Sequence, residues 1–251
     1  GGDPLSHQEP VLLEEAGMRE GRKELLIVIP AYNEAENIER VVNRLITDFP
    51  QYDYVVVNDG SSDGTAEICR RNNYNFLDLP VNLGLAGGFQ AGLKYAARCG
   101  YRYAVQFDGD GQHRPEYLAA MQARMEDGFD IVIGSRFVGQ KKPRSMRMLG
   151  SNLIEHAIRL TTGVRIKDPT SGMRMFNRAM IEEFAGGLNY GPAPDTVSYL
   201  IRQRGARVDE VPVVMDERLL GKSYLTPLNA ARYMIKMLIS ICLIQSFRKR
   251  R

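Results

Sequence analysis

The stretch that decides the fold is Val105-Gln106-Phe107-Asp108-Gly109-Asp110-Gly111-Gln112-His113. An apolar run, Tyr103 to Phe107, ends abruptly in two carboxylates separated by one glycine, which is typical of a buried strand that leads into an acidic loop. Oxygen ligands of this kind suit a hard divalent cation such as Mg²⁺ or Mn²⁺, which proteins hold with one or two carboxylates plus substrate phosphates. The alternative is an ordinary surface turn, because Asp-Gly pairs favour turns.

The neighbouring sequence places this loop at the edge of a parallel sheet. Apolar runs at residues 25–30, 52–58, 74–79 and 103–107 alternate with helical patterns of about 10 to 15 residues, which indicates βαβ units. Further strands are predicted at 130–134 and 208–215. Ligands bind outside the carboxyl ends of such strands. Polar clusters follow the first four strands, at 31–34, 59–63, 82–88 and 108–112. The sequence therefore predicts one metal and phosphate site rather than four separate turns.

Composition sets wide bounds on the function. The chain has 251 residues, 44% of them hydrophobic, and a net charge of +3, which is ordinary for a globular protein and too small to indicate nucleic-acid binding. Cys69, Cys99 and Cys242 lie far apart and form neither a disulfide framework nor a metal-ligand spacing, which favours a reducing, cytoplasmic location. No apolar run reaches the roughly 18 to 20 residues that a membrane-spanning helix needs.

Three segments are predicted along the chain. Residues 1–22 form an N-terminal tail that begins like an expression remnant and lacks the features of a secretory signal. Residues 23–224 form the α/β domain. Residues 225–251 form an amphipathic helix whose uncharged part ends in Arg248-Lys249-Arg250-Arg251, which suits an anionic membrane surface. An ordinary core helix and a partner-binding helix are the alternatives.

Six motifs, in order, resemble glycosyltransferase family 2, and within it the dolichyl- or polyprenyl-phosphate sugar transferases. They are PAYNE at 30–34, VVNDGSSDGT at 56–65, NLGLAGG at 82–88, DGDGQH at 108–113, GSR at 134–136 and DPTSGMRMF at 168–176. The resemblance implies a GT-A fold, with a mostly parallel central sheet flanked by helices, an inverting reaction and a nucleotide-diphosphate sugar donor.

The resemblance also implies roles for individual residues. The donor nucleotide would contact Pro30, Tyr32, Glu34 and Asp59, beside Gly84 and Gly87 of the glycine-rich motif. Asp108, Asp110 and Gln112 would hold the metal and the diphosphate, and Arg218 would bind donor phosphate. The acceptor phosphate would be bound by Arg136, Arg147 and Ser151. Two departures from the family pattern stand out. Asn58 replaces an acid that is often present, and the family's Gly-x-Ser-Lys ending is here Gly221-Lys222-Ser223-Tyr224, so that the terminal lysine is absent or its role has moved to Lys222.

The acceptor decides whether a catalytic base is needed. A lipid phosphate is already an anionic nucleophile at neutral pH, because its second pKa is near 6, whereas a sugar hydroxyl needs a positioned carboxylate. Related enzymes that use hydroxyl acceptors often carry an acidic pair where this chain has only Asp195, which is also a good helix N-cap. Asp168 is either an acceptor-side residue or a turn former. The missing pair and the basic run at 140–147, with Arg136, favour a phosphate acceptor.

The resemblance, together with the residue patterns, implies an inverting, metal-dependent glycosyltransferase that is peripheral at the inner face of the cell membrane. It would move a UDP-linked sugar to a polyprenyl phosphate for cell-envelope glycan synthesis. Asp110 and Arg136, with Asp195 and Asp168, are the predicted catalytic residues. The alternatives are transfer to a sugar hydroxyl and a non-catalytic nucleotide-sugar binding subunit. A small membrane partner protein and a homo-oligomer are compatible with the sequence.

Overall fold

The computed structural model describes residues 23–186, 193–216 and 227–244. Its centre is a seven-stranded sheet in the order β3-β2-β1-β4-β6-β5-β7. Only β6 runs antiparallel to its neighbours β4 and β5, and the other pairings are parallel. The strands are β1 (Leu25–Ala31), β2 (Asp53–Asp59), β3 (Phe76–Leu79), β4 (Tyr103–Gln106), β5 (Ile131–Ser135), β6 (Arg174–Asn177) and β7 (Val208–Pro212).

Helices cover both faces of the sheet. A single 3-10 turn, Pro115–Tyr117, precedes α4, and a π-helical turn, Ser240–Ile244, continues α8. The helices are α1 (Ile38–Asp48), α2 (Thr65–Arg71), α3 (Gly84–Cys99), α4 (Leu118–Glu126), α5 (Met146–Thr162), α6 (Arg178–Ala185), α7 (Pro194–Arg204) and α8 (Pro227–Ile239).

The sheet separates two apolar cores. In β1, Leu26 and Val28 point into the core formed with α3, while Ile27 and Ile29 point into the core formed with α1. All four side chains are fully buried. A strand covered on both faces explains why this segment is a continuous apolar run rather than an alternating one. The predicted α/β class, with a mostly parallel sheet flanked by helices, is confirmed.

The sequence interpretation missed β6 and α6. Strand β6 has four residues, Arg-Met-Phe-Asn, and its first side chain is a fully buried arginine. A strand this short, headed by a charged residue, gives no detectable period of two. Helix α5 begins at Met146, after the N-cap Ser145, so Arg147 lies in its first turn.

The C-terminal helix packs on the domain. Met237 and Ile241 are buried in the α3-side core. A Cβ atom built on Gly150 of α5 would lie 2.8 Å from the Cγ atom of Met234, so α5 and α8 approach closely. Among the described residues, none of the helices is both long and apolar enough to cross a membrane.

Candidate active site

A cleft of about 380 Å³ opens at the carboxyl ends of β1, β2 and β4. Loops from these strands and the loop before α3 meet there, as expected for a parallel sheet. The lining includes Pro30, Tyr32, Glu34, Asp59, Asn82, Gly84, Asp108 and Asp110. The structure therefore brings the predicted nucleotide-binding residues and both acids of the acidic loop to one place, while Gly87 lies in the first turn of α3.

The loop after β1 is fastened to the loop after β2 by Asn33. This residue has a positive φ of 54°, a conformation that asparagine tolerates better than most residues. Its backbone N–H donates to Ser61 Oγ at 3.0 Å, and its Oδ1 accepts from the N–H groups of Ser62 and Asp63 at 2.9 and 3.3 Å. The flanking residues Tyr32 and Glu34 are thereby held at the cleft.

Asp59 connects the loop after β2 to the loop before α3. Its side chain is buried, and its Oδ1 accepts a 2.7 Å hydrogen bond from the N–H of Leu83. Gly60 next to it has a φ of +64°, and a Cβ there would lie 2.5 Å from the backbone nitrogen of Asn82. Only glycine fits this close approach. The motif at 56–65 therefore shapes the cleft floor through backbone packing as well as through its acid.

His113 orients the first acid of the acidic loop. The N–H of Asp108 donates to His113 Nδ1 at 3.0 Å, and His113 Nε2 lies 3.3 Å from Asp108 Oδ2. The histidine is buried and packs edge-on against Phe107, with ring centroids 5.5 Å apart. The imidazole therefore accepts through Nδ1 and faces the carboxylate with Nε2. The sequence analysis quoted His113 within a motif but gave it no role.

Arg40 of α1 supports the second acid. Its guanidinium donates to the backbone oxygen of Asp110 at 3.3 Å and to Asn37 Oδ1 at 3.3 Å. Asp110 Oδ1 accepts from the N–H of Gln112 at 3.0 Å. Gly111 has a φ of +83°, and a Cβ there would come within 2.5 Å of Arg40. Arg40 was not predicted as a site residue, because nothing near residue 40 in the sequence indicates contact with residue 110.

Gln112 ties the acidic loop to the segment after β7. Its backbone oxygen accepts from the N–H of Asp216 at 2.8 Å, and its Nε2 donates to the Asp216 backbone oxygen at 3.4 Å. Arg114 forms an ion pair with the Asp216 carboxylate. Arg218 follows two residues later and lies outside the described residues. The predictions that Gln112 holds the metal and the diphosphate, and that Arg218 binds donor phosphate, stay predictions.

The donor set fits a divalent cation with few protein ligands. Within the described residues, no group of three or more histidine, cysteine or acidic side chains is arranged to hold a metal ion. Asp108 and Asp110 nevertheless line the same cleft, and the Asp108 side chain is 35% exposed. One or two carboxylates completed by substrate phosphates is the usual arrangement for Mg²⁺. The residues present therefore fit a metal that binds together with a diphosphate.

On the other side of the acidic loop, Arg136 and Asp168 form a two-point ion pair. Arg136 Nε and Nη2 each lie 2.8 Å from an Asp168 oxygen, and the Arg136 N–H donates to the same carboxylate at 2.9 Å. Asp168 is fully buried, while the Arg136 side chain is 26% exposed. The hydrogen bonds that Arg136 donates to Asp168 raise the pKa of the Arg136 guanidinium. Glu210 in turn positions Asp168, because its two carboxylate oxygens accept hydrogen bonds from the backbone N–H groups of Lys167 and Asp168 at 2.8 Å each.

The predicted acceptor residue Ser151 contacts a lysine of the basic run. Lys142 Nζ lies 3.4 Å from Ser151 Oγ and 2.9 Å from Glu155 Oε2, and Arg165 binds the other Glu155 oxygen at 2.9 Å. The Lys142 side chain is only 11% exposed. Within the basic run, Glu155 therefore holds Lys142 against α5. The Arg147 side chain lies outside the part of the chain that the structure describes.

Asp195 lies in the first turn of α7, but the N-cap of this helix is Ala193. Proline is favoured at the first helical position, so Pro194 places the cap one residue before itself. Asp195 accepts hydrogen bonds from the N–H of Thr196 at 2.9 Å and from Ser240 Oγ at 2.6 Å. The N-cap interpretation of Asp195 is therefore wrong, and its role as a catalytic base stays a prediction.

Comparisons with known proteins agree with this architecture. The fold, a mostly parallel seven-stranded sheet flanked by helices, is that of GT-A glycosyltransferases. A mannosyltransferase from Pyrobaculum calidifontis, solved with GDP-Man and Mn²⁺, matches with a TM-score of 0.63 and 21% identity over 92% of this chain and 66% of that one. A glucosyl-3-phosphoglycerate synthase from Mycobacterium tuberculosis, solved with Mn²⁺ and UDP-Glc, matches with a TM-score of 0.64 and 19% identity over 92% and 82%.

Sequence comparison gives the family. Glycosyl transferase family 2 matches residues 26–184, and the chain belongs to this family. It is 31% identical to the polyprenol monophosphomannose synthase of Mycolicibacterium smegmatis over 229 residues, 84% of each chain. It is also 31% identical to the undecaprenyl-phosphate mannosyltransferase of Micrococcus luteus over 214 residues, 79% of this chain and 86% of the relative. The predicted family and the GT-A fold are confirmed, and the chain is a glycosyltransferase.

Proposed function

We propose that this enzyme transfers a sugar from a nucleoside diphosphate to a polyprenyl phosphate with inversion, using a divalent metal. The observation that carries the proposal is the placement of two contrasting groups on either side of one acidic loop. The cleft with Asp108 and Asp110 suits a nucleotide diphosphate and its metal. Arg136 offers a fixed, partly exposed cation to an anionic acceptor.

On the donor side, the main chemical task is to stabilise negative charge on the departing diphosphate. Electrostatic stabilisation of this kind is usually the largest contribution to catalysis. When bound, the metal would act as a Lewis acid on the diphosphate oxygens. Asp108, Asp110 and Gln112 would hold the metal and the diphosphate, and Arg218 would bind donor phosphate. Contact with the nucleoside would come from Pro30, Tyr32, Glu34 and Asp59. A UDP sugar is the predicted donor. GDP-mannose is the competitor, because a mannosyltransferase of similar fold was solved with GDP-Man and one relative is named an undecaprenyl-phosphate mannosyltransferase.

On the acceptor side, Arg136 would bind the phosphate together with Arg147 and Ser151. A phosphate monoester needs no base, because it carries its nucleophilic charge at neutral pH. Both Asp168 oxygens already accept hydrogen bonds from Arg136, so Asp168 serves better to position this arginine than to remove a proton. Asp195 would act as a base only if the acceptor were a hydroxyl.

A lipid acceptor also requires contact with a membrane surface. Helix α5 exposes Leu149, Leu153 and Leu160 with helical spacing, and α8 exposes Leu228, Ile235 and Ile239. The two helices pack together, and Arg144, Arg159 and Arg232 lie near these apolar side chains in sequence. An apolar stripe flanked by basic residues favours binding to anionic lipid. We propose that this surface keeps the enzyme peripheral at the inner face of the membrane.

In the experiment, purified protein is incubated with Mn²⁺ and one of a panel of UDP- and GDP-sugars. Each sugar is tested with undecaprenyl phosphate and with a free oligosaccharide as the acceptor. Nucleoside diphosphate release is followed over time. We expect release that requires the lipid phosphate and falls strongly in Arg136→Gln. Arg102→Gln is the matched control, because Arg102 is an exposed arginine paired with Glu24 at the opposite end of β4.

The other outcomes separate the alternatives. Release that occurs only with the oligosaccharide, and is lost in Asp195→Asn, would replace the lipid phosphate by a hydroxyl acceptor. Donor binding without release in any combination would indicate a non-catalytic binding subunit. The donor that supports turnover identifies the nucleotide and the sugar.

A further inference from the structure

The largest fully buried side chain in the described part of the protein is a charged one, Arg174, at the start of β6. Its Nη2 donates to the backbone oxygen of Pro169 at 2.5 Å. Its Nε and Nη1 are also buried and have no hydrogen-bond partner within the described residues. Burial of a charged guanidinium that lacks hydrogen-bond partners destabilises a folded protein. A contribution to stability therefore does not explain why Arg174 occupies this position.

The charges around Arg174 come from three elements. Asp168 precedes the Pro169 turn, Asp195 lies on α7 and Tyr233 lies on α8, and all three favour the charged guanidinium. Burial nevertheless lowers the pKa of Arg174. Asp168 and Asp195 each have hydrogen-bond donors of their own, namely Arg136 for the first and Thr196 and Ser240 for the second. Neither acid therefore depends on Arg174 for a direct partner.

The turn that Arg174 supports, residues 168–172, contacts both halves of the site. At one end, Asp168 holds Arg136, and Ser171 Oγ donates to the Gly134 backbone oxygen at 2.5 Å. At the other end, a Cβ on Gly172 would lie 3.4 Å from Asp108 Oδ2 and 3.4 Å from His113 Cε1. The turn thus lies between the metal-binding acid and the acceptor arginine, and Arg174 anchors it from beneath.

We propose that Arg174 is a positioning residue for the reaction. It fixes the Pro169 carbonyl, and thereby sets Asp108 and Arg136 in the relative positions that transfer requires. The inference rests on the proposed function, because it assigns these two residues to donor metal and acceptor phosphate. It also accounts for the tolerance of a poorly paired buried charge, since costly groups persist where function needs them.

The test compares Arg174→Met and Arg174→Lys with Arg178→Met. Arg178 is a matched control because it also donates to backbone oxygens, those of Ala97 and Tyr101, but away from the cleft. Three quantities are measured: the melting temperature, the affinity for Mn²⁺ in the presence of UDP or GDP, and kcat with the acceptor. Mn²⁺ affinity, read by electron paramagnetic resonance, needs no turnover.

We expect Arg174→Met to melt at or above the wild-type temperature, since apolar replacements of buried charges are often neutral or stabilising. Its Mn²⁺ affinity should fall about tenfold, as when residues that support metal ligands are changed, and its kcat should fall about 10²-fold through misplacement of the reacting groups. Arg174→Lys, which can still donate to Pro169, should recover part of both losses. Arg178→Met should leave all three quantities unchanged.

A merely structural role predicts the reverse pattern. If Arg174→Met melts well below the wild type while its folded fraction binds Mn²⁺ and turns over normally, the inference is wrong. If Arg174→Met does not fold, Arg174→Lys decides through the same Mn²⁺ measurement. Failure of the proposed function has a different appearance, because the wild-type protein itself would then release no nucleotide with any lipid phosphate.

Discussion

The proposed donor half and the proposed acceptor half of the site are each stabilised by a different kind of interaction. On the donor side, neighbouring loops are joined by hydrogen bonds between side chains and backbone groups, as at Asn33 and Asp59. On the acceptor side, ion pairs with a buried carboxylate do this work, as in Arg136–Asp168 and Lys142–Glu155. Loss of one hydrogen bond costs little, but loss of one ion-pair partner leaves a buried charge. The acceptor half should therefore be the more sensitive to substitution.

The largest effect is expected from breaking the Arg136–Asp168 pair. Arg136→Met leaves the fully buried Asp168 without its cation, which should cost about 3 to 5 kcal/mol of unfolding free energy. The double variant Arg136→Met/Asp168→Leu removes both charges and should recover much of this stability while remaining inactive. Urea denaturation and the nucleotide-release assay measure the two properties. A double variant as unstable as the single one would contradict the explanation by an unpaired charge.

A nearly equal effect, on rate rather than stability, is expected at the acidic loop. Asp108→Asn or Asp110→Asn should lower turnover about 10²- to 10³-fold, because each removes charge stabilisation from the leaving diphosphate. The fold should persist, since Asp108 borders the open cleft. Asp127→Asn is the control, as its side chain is 58% exposed and pairs only locally with Arg124. Full activity of either cleft variant at limiting Mn²⁺ would remove these acids from the metal site.

The same contrast explains what could be predicted from the sequence. The donor loops follow strands directly, so the strand pattern and the sheet-edge rule located the clusters at 31–34, 59–63 and 108–112 that line the cleft. The family resemblance then singled out Tyr32, Glu34 and Asp59 within them. The contacts of the acceptor half join residues that are distant in sequence, such as Arg136 with Asp168 and Lys142 with Glu155. No local pattern encodes such pairs.

Three residues were missed for related reasons. Arg174 is a charged residue in a position where the hydrophobic pattern calls for an apolar one, so β6 went unrecognised with it. Arg40 looks like an ordinary exposed helix residue, although its guanidinium contacts the Asp110 backbone. Glu210 lies in a strand whose pattern says nothing about its bonds to residues 167 and 168. In each case a polar side chain is used far from its own segment.

A smaller effect is expected from loosening the donor loops. Asn33→Ala should cost about 1 to 2 kcal/mol, because it removes the hydrogen bonds to Ser62 and Asp63 and places alanine at a positive φ. Donor affinity should fall in parallel, since Tyr32 and Glu34 flank this residue. Asn33→Gly removes the same hydrogen bonds but tolerates a positive φ, so the difference between the two variants measures the backbone strain alone. Calorimetric donor binding and thermal denaturation are the measurements, and unchanged donor affinity in both variants would argue against this role for Asn33.

The smallest effect concerns the pH dependence of Glu155. Burial raises the pKa of Glu155, but the hydrogen bonds from Lys142 and Arg165 outweigh it, and the pKa is lowered. A lowered folded-state pKa gives stability that is present above the unfolded value of about 4.3 and is lost as pH falls through the folded value. The stability difference between wild type and Glu155→Gln should therefore be largest near neutral pH and shrink in acid. Glu182→Gln is the control, because its pair with Arg178 is exposed and such pairs contribute little. A stability difference that stays constant from neutral pH into acid would show that Glu155 acts by packing rather than through its charge. Ion pairs would then not be what distinguishes the acceptor half from the donor half.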